Sequence, residues 1–261
     1  MPEAGHGVDV HQSMTFGGNM KTLKLMTPLA LVILLIPLQA LGFGEEETFR
    51  DMGGRLLSTA AYPGRRVDEY RELSVGVRVP FLAGDIDNFG EKWTDYFESV
   101  GVGLEISGAR LWSVSDKVAI GVYLSLDVDM FSGKTIDVGG IQEAFDDLTM
   151  VRFMVGCRVR ETFGKFFMDQ NIGIGLVSYS PVNADALGTS VGVIDGSTVF
   201  AFEIGYRFGI VISPVVDLGM SLSYNYNAAP DPSSDLTAVI PDLKYSAQSN
   251  FVLGFFVNIN F

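Results

Sequence analysis

The 261 residues carry a formal charge of −13, a hydrophobic fraction of 48% and thirty glycines. That charge disfavours nucleic acid as a partner, because a phosphate backbone calls for a basic surface. The lone cysteine, Cys157, excludes an intramolecular disulfide and a cysteine metal cluster, and its apolar-parity position reads as a small hydrophobe.

Residues 1–19 carry no targeting pattern and read as an upstream extension ahead of the true start. From Met20 the chain runs MKTLKLMTPLALVILLIPLQALGFG. Lys21 and Lys24 form a positive region, Leu29 to Ile36 an apolar core, and Ala40-Leu41-Gly42 a small-x-small site, so 20–42 is expected to be a cleaved signal peptide. A spanning helix needs about 20 apolar residues, and Pro28, Pro37 and Gln39 interrupt this run. Residues 43–69 are expected to be a periplasmic lead-in, with Phe49, Met52, Leu56 and Ala60 at helical spacing but Gly53 and Gly54 weakening a helix. His6 and His11 both lie upstream, so the processed chain retains no histidine.

From Tyr70 onward eight segments alternate with period 2, as strands with two distinct faces do. The first sets Leu73, Val75, Val77, Val79 and Phe81 against Ser74, Gly76 and Arg78. The second sets Val100, Val102, Leu104 and Ile106 against Gly101, Gly103 and Glu105. The third sets Val118, Ile120, Val122, Leu124, Leu126 and Val128 against Ala119, Gly121, Tyr123, Ser125, Asp127 and Asp129. The fourth and fifth follow around Val151 to Val159 and Met168 to Leu176, the sixth and seventh around Phe200 to Phe208 and Val216 to Tyr224. The eighth is the terminal NFVLGFFVNINF.

Connections alternate too. Short ones are expected near Ser113 to Asp116, Thr162 to Lys165 and Gly209 to Pro214. Long polar ones are expected at roughly 83–96, 131–148, 181–197 and 227–246. Short turns on one side and long loops on the other fit an outer-membrane barrel, with periplasmic turns and extracellular loops.

A soluble barrel would turn its apolar face inward. Against that arrangement, every strand carries glycine on its less apolar face: Gly76, Gly101, Gly103, Gly121, Gly156, Gly173, Gly175, Gly205, Gly219 and Gly254. Glycine weakens a solvent-facing strand, whereas inside a closed eight-stranded barrel it makes room for the side chains that fill the lumen. The large-residue face is almost free of charge, as lipid contact requires. Aromatics are expected to form two girdles, Phe81, Tyr96, Phe97, Tyr179, Phe200, Tyr224 and Phe251 on the loop side and Trp112, Phe166, Phe208 and Phe261 on the turn side. The expected fold is all-β, an eight-stranded antiparallel up-and-down transmembrane barrel over 70–261.

With its terminal strand ending in Phe261, the chain resembles the small eight-stranded outer-membrane proteins, the OmpA-transmembrane-domain, OmpX and OmpW sort. The resemblance implies that Phe261, Ile259 and Val257 form the signal read by the barrel-assembly machinery. It also implies contact with outer-membrane lipid and lipopolysaccharide. The enzymes built on this scaffold use a catalytic histidine, which is absent here, so no enzymatic activity, cofactor or metal is expected.

By parity the lumen holds Arg78, Arg152, Arg158, Arg160 and Arg207 with Glu105, Asp127, Asp129, Asp169, Glu203 and Asp217, a near-matched set expected to plug the barrel. The inferred register puts Arg158 opposite Asp169 and Arg207 opposite Asp217. Inward Phe256, Val252, Met154, Val199 and Tyr123 keep open a narrow porin-like or OmpW-like conduit. The loops gather Asp85, Asp87, Glu91, Asp95, Asp137, Glu143, Asp146 and Asp147. GDIDNFGE resembles half a calcium loop, but Phe89 stands where a ligand belongs. A solvated acidic face, a cation bridge to lipopolysaccharide or recognition of a basic extracellular partner all fit. Two functions follow: a structural or surface-interaction barrel, or a conduit for small or hydrophobic solutes.

Overall fold

The computed structural model describes residues 69–87, 90–213 and 215–261. The upstream extension, the signal peptide, all of the lead-in except Glu69, and Phe89 of the calcium-like stretch lie outside the described residues.

Eight strands close into one antiparallel barrel: β1 (Glu69–Ala83), β2 (Val102–Ser113), β3 (Val118–Phe131), β6 (Leu148–Phe163), β7 (Phe166–Tyr179), β10 (Thr198–Ser213), β11 (Val216–Asn227) and β12 (Gln248–Asn260). Each pairs with its sequence neighbour in the barrel, and β12 returns to β1. Closure leaves no strand edge facing hydrocarbon, where unpaired backbone groups cost several kcal/mol each. Phe261 completes the seam, exchanging backbone hydrogen bonds with Arg71 at 3.0 and 3.2 Å.

Period-2 patterning fixes which face is which. On β3 the side chains of Ile120, Val122, Leu124 and Leu126 are exposed, while Gly121, Tyr123, Ser125 and Asp127 between them are buried. The same sense holds for Phe153 and Val155 on β6, Ile172 to Leu176 on β7 and Phe251 to Phe255 on β12. Hiding one such side chain from water is worth about 1.5–3 kcal/mol, so a belt of this size around the whole barrel finds its solvent in acyl chains. At about 3.4 Å per residue, strands of 12 to 16 residues also suffice to cross a bilayer at the usual tilt. Cys157 is exposed on this outer face.

Inward glycines are demanded by what lies opposite. A Cβ at Gly156 or Gly173 would collide with the Tyr123 ring or hydroxyl, and one at Gly219 with the Phe256 ring. These glycines let two large rings lie across the axis.

The connections differ from expectation in two ways. β10 continues through Gly209 to Ser213, with an irregularity between Val211 and Ser213, and β6 reaches Phe163, because paired backbone extends until the chain must reverse. The long connections also hold structure of their own. β4 (Thr135–Val138), β5 (Ile141–Phe145), β8 (Val182–Ala186) and β9 (Thr189–Ile194) make a second sheet in the order β4-β5-β8-β9. Two short helices, α1 (Trp93–Tyr96) and α2 (Ser234–Val239), flank it, α2 with Ser233 as its N-cap accepting from the Leu236 amide at 3.2 Å.

Candidate functional site: a charged lumen under an aromatic cap

The lumen is filled by ion pairs in two layers. Near the loop rim, Arg78 meets Asp127 at 2.8 Å, Asp129 at 3.3 Å and Glu105 at 3.7 Å, and Arg152 pairs with Asp129. All but Glu105 are essentially inaccessible to solvent. Asp127 and Asp129, which a loop-side position would have left solvated, are fully buried.

Toward the turn rim, three arginines converge on one carboxylate. Glu72 pairs with Arg158, with Arg160 at 2.6 Å and with Arg207 at 3.5 Å. Arg160 also grips Asp169 in a two-pronged contact of 2.6 and 2.7 Å, the planar geometry that makes guanidinium–carboxylate pairs strong. Arg158 donates to Asn171 at 2.9 Å and Arg207 to Asn258 at 3.0 Å. Aromatic faces stack on the same cations: Phe256 lies 3.8 Å from the Arg207 guanidinium, Phe167 4.2 Å from Arg160 and Tyr123 5.2 Å from Arg158. Such contacts strengthen as water is removed.

The register expected from sequence is corrected here. Arg158 faces Asn171 and it is Arg160 that faces Asp169, while Arg207 faces Ser221 on β11 and Asp217 pairs with Val211. Both reversals lie further along the chain than inferred, after Phe163 and after Ser213, and this moved both hairpins off the inferred alignment; the irregularity near Val211 changes the register by only one residue. Asp217 instead accepts from Asn260 at 2.9 Å, and Glu203 accepts from the Tyr123 hydroxyl at 3.2 Å. Sequence reading missed Glu72, because it precedes the first apolar residue of its strand. Its parity with Ser74, Gly76 and Arg78 is the signal that marks it.

Between the layers a cavity of about 20 Å³, lined by Glu105, Tyr123, Ser125, Glu203 and Arg207 among others, has room for roughly one water. Above the loop-side layer an apolar cluster closes the barrel. Trp93, Phe97, Phe131, Leu148 and Met150 are fully buried there, with Tyr179 stacked 6.3 Å from Trp93. Phe97, Tyr179 and the partly buried Tyr96 therefore belong to this cap and not to the lipid-facing girdle: Tyr179 points inward from β7, while Tyr96 and Phe97 lie in the connection between β1 and β2 that folds over the mouth. Phe81, Phe200 and Phe251 remain exposed near the loop rim, and Trp112, Phe166, Phe208 and Phe261 near the turn rim.

The acidic loop residues are individually tied to backbone. Asp95 accepts from the Lys92 amide at 2.8 Å, Asp137 from Gly140 at 2.7 Å, Asp146 from Asn183 at 3.2 Å, Asp147 from Gly133 at 3.0 Å and Asp87 from Glu91 at 3.2 Å. Asp85 pairs through its backbone with Lys92, and Glu143 lies on β5 opposite Ile136. Among the described residues no three acidic, histidine or cysteine side chains are grouped to hold a metal ion. Their charge is nevertheless felt: burial first, then Glu91, Asp87, Asp95 and Glu143 push the Tyr96 hydroxyl up to about 12. Burial and Asp87 likewise raise Tyr245.

The chain matches no protein-family model and no curated protein. Among solved structures it is similar to the attachment invasion locus protein Ail of Yersinia pestis, at 10% identity and a TM-score of 0.44, over 75% of this chain and 100% of that one. It is also similar to Neisserial surface protein A, at 14% identity and a TM-score of 0.40, over 74% and 97%. OprG of Pseudomonas aeruginosa gives 11% identity and 0.42, over 76% and 98%. At these values the likeness goes no further than the architecture already described, and on its own geometry the chain is an eight-stranded transmembrane β-barrel.

Proposed function

We propose that this chain is an integral protein of a bacterial outer membrane, a closed scaffold that presents an acidic loop surface to a cationic extracellular partner. It acts by recognition and not by catalysis or solute passage. The observation that carries the reading is the double closure of the axis, by buried ion pairs within the barrel and by the Trp93 cluster above it. A conduit would need one of these to open, and the fully buried guanidiniums have no water to retreat into.

The loop charge supports the second half. The four long connections, 84–101, 132–147, 180–197 and 228–247, hold fourteen aspartates and glutamates against three lysines, most of the chain's excess. The small sheet holds part of this charge in fixed positions, which lowers the ordering cost of binding, and charge of one sign steers an oppositely charged partner. Lipid and lipopolysaccharide would surround the belt, and the Val257, Ile259 and Phe261 edge would be the segment handed to the assembly machinery.

Two measurements test this. Protein reconstituted in planar bilayers is expected to show no discrete conductance steps, and large steps would overturn the closed-scaffold reading. Vesicles carrying the protein are expected to bind a lysine-rich peptide with affinity that falls as salt rises. Replacing Asp137, Glu143, Asp146 and Asp147 by their amides keeps the turn hydrogen bonds yet should weaken that binding several-fold, and undiminished binding would remove the cationic partner.

A further inference from the structure

The outer face of β2 departs from the apolar rule at one place. Reading down its lipid side, Ile106 is followed by Gly108, Arg110 and Trp112. Arg110 sits directly opposite Arg71 on β1, and both are about half exposed, at 50% and 58%. Like charges placed opposite each other on paired strands destabilise a sheet, so the fold alone gives no reason for the pair. Glu69 offsets only one of them. Both its oxygens are gripped by Arg110 at 2.8 Å, and Arg71 is left with a single contact of 3.2 Å to the same oxygen.

Position supplies the reason. Arg110 lies one outward residue inside Trp112, within the turn-rim aromatics that include Phe163, Phe166 and Phe261. That is the depth at which a long basic side chain reaches from hydrocarbon into headgroups. Gly108, between Leu73 on β1 and Leu124 on β3, breaks the otherwise continuous ridge of large side chains. An added Cβ there would meet its nearest neighbour, the Glu72 backbone oxygen, at 3.7 Å. Packing therefore does not require glycine at this site, and its effect is a shallow notch leading away from the two guanidiniums.

We infer that Arg71 and Arg110 seat the phosphate of an anionic phospholipid in the leaflet at the turn rim, with the start of an acyl chain in the Gly108 notch. Guanidinium suits this role because its planar fork meets phosphate oxygens in pairs. The lipid is selected by net charge over its zwitterionic counterpart, since two cations face one carboxylate. Trp112 belongs to the same site, with the Arg110 guanidinium 5.2 Å from its ring.

The chain has two tryptophans, and Trp93 is fully buried in the cap, so contact quenching by lipid reports Trp112. The barrel is refolded into phosphatidylcholine vesicles containing a minority of acyl-brominated phosphatidylglycerol or, separately, acyl-brominated phosphatidylcholine. Quenching by phosphatidylglycerol is expected at about fivefold higher apparent affinity, the size of one net charge near a membrane surface. R71Q/R110Q, which leaves the Glu69 charge uncompensated, should abolish the preference or reverse it without changing quenching by phosphatidylcholine. R71K/R110K should keep part of it, and R71Q alone, which leaves the neutral Glu69–Arg110 fork, should bring the ratio to about one. Heat-shifted gel mobility verifies that each variant is folded. Equal quenching of the wild type by both lipids, or a preference that survives R71Q/R110Q, overturns the site. No quenching by either lipid would overturn the membrane placement on which it rests.

Discussion

The two ionic layers of the lumen look alike in composition and differ in balance. On the loop side Arg78 and Arg152 face Glu105, Asp127 and Asp129, so carboxylates are in surplus and Arg78 has a choice among three. On the turn side Arg158, Arg160 and Arg207 share Glu72, with Asp169 held by Arg160. There three cations are in direct contact with only two carboxylates, Asp217 lying apart with Asn260, and one carboxylate serves all three. Burying a charge is tolerable only when it is paired, and removing one partner leaves the other unpaired in a medium that cannot solvate it. The same kind of substitution should therefore have unequal effects in the two layers.

The largest effect is expected at Glu72. Glu72→Gln strips three buried arginines of their common partner and should destabilise the barrel by about 3–5 kcal/mol, read from urea unfolding in lipid vesicles. A loss no larger than that of a loop-side carboxylate would erase the contrast. Second is Gly219→Ala, where a methyl collides with the Phe256 ring and the Phe208 carbonyl. Overpacking of this kind costs about 1–3 kcal/mol, and since Phe256 covers Arg207 the damage falls on the turn-side layer. Gly108→Ala, on the outer face, is the control and should cost less than about 0.5 kcal/mol. Among the lumen substitutions the smallest effect is expected for Asp127→Asn. Arg78 keeps Asp129 and Glu105, so the cost should stay below about 1 kcal/mol. A loss matching Glu72→Gln would show that the loop-side layer has no spare charge.

A second contrast lies between the barrel and the structure built on its loops. In the barrel every strand announced itself, because a wall with lipid outside and a packed lumen inside imposes period 2 on each residue. The Phe251–Phe255 stripe and the inward glycines could be assigned to their faces without coordinates. In the loops that constraint is absent. Ile136, Val138, Val182 and Val193 are scattered among acidic and glycine residues, and nothing local shows that strands from two different connections will pair as β5 and β8. Trp93 and Phe97 are likewise uninformative alone, since a loop aromatic can lie in lipid, in water or over a barrel mouth.

Alternation along the chain by itself determined the eight strands and their inside-out sense, because side-chain direction in a strand is a local property of the backbone. Which arginine meets which carboxylate was decided only by tertiary structure. A reversal placed further along the chain, after Phe163 or after Ser213, slides one strand past the next. That slide is what gave Asp169 to Arg160 in place of Arg158. It also left Asp217 with Asn260, while barrel closure brought Glu72 to all three arginines across the axis.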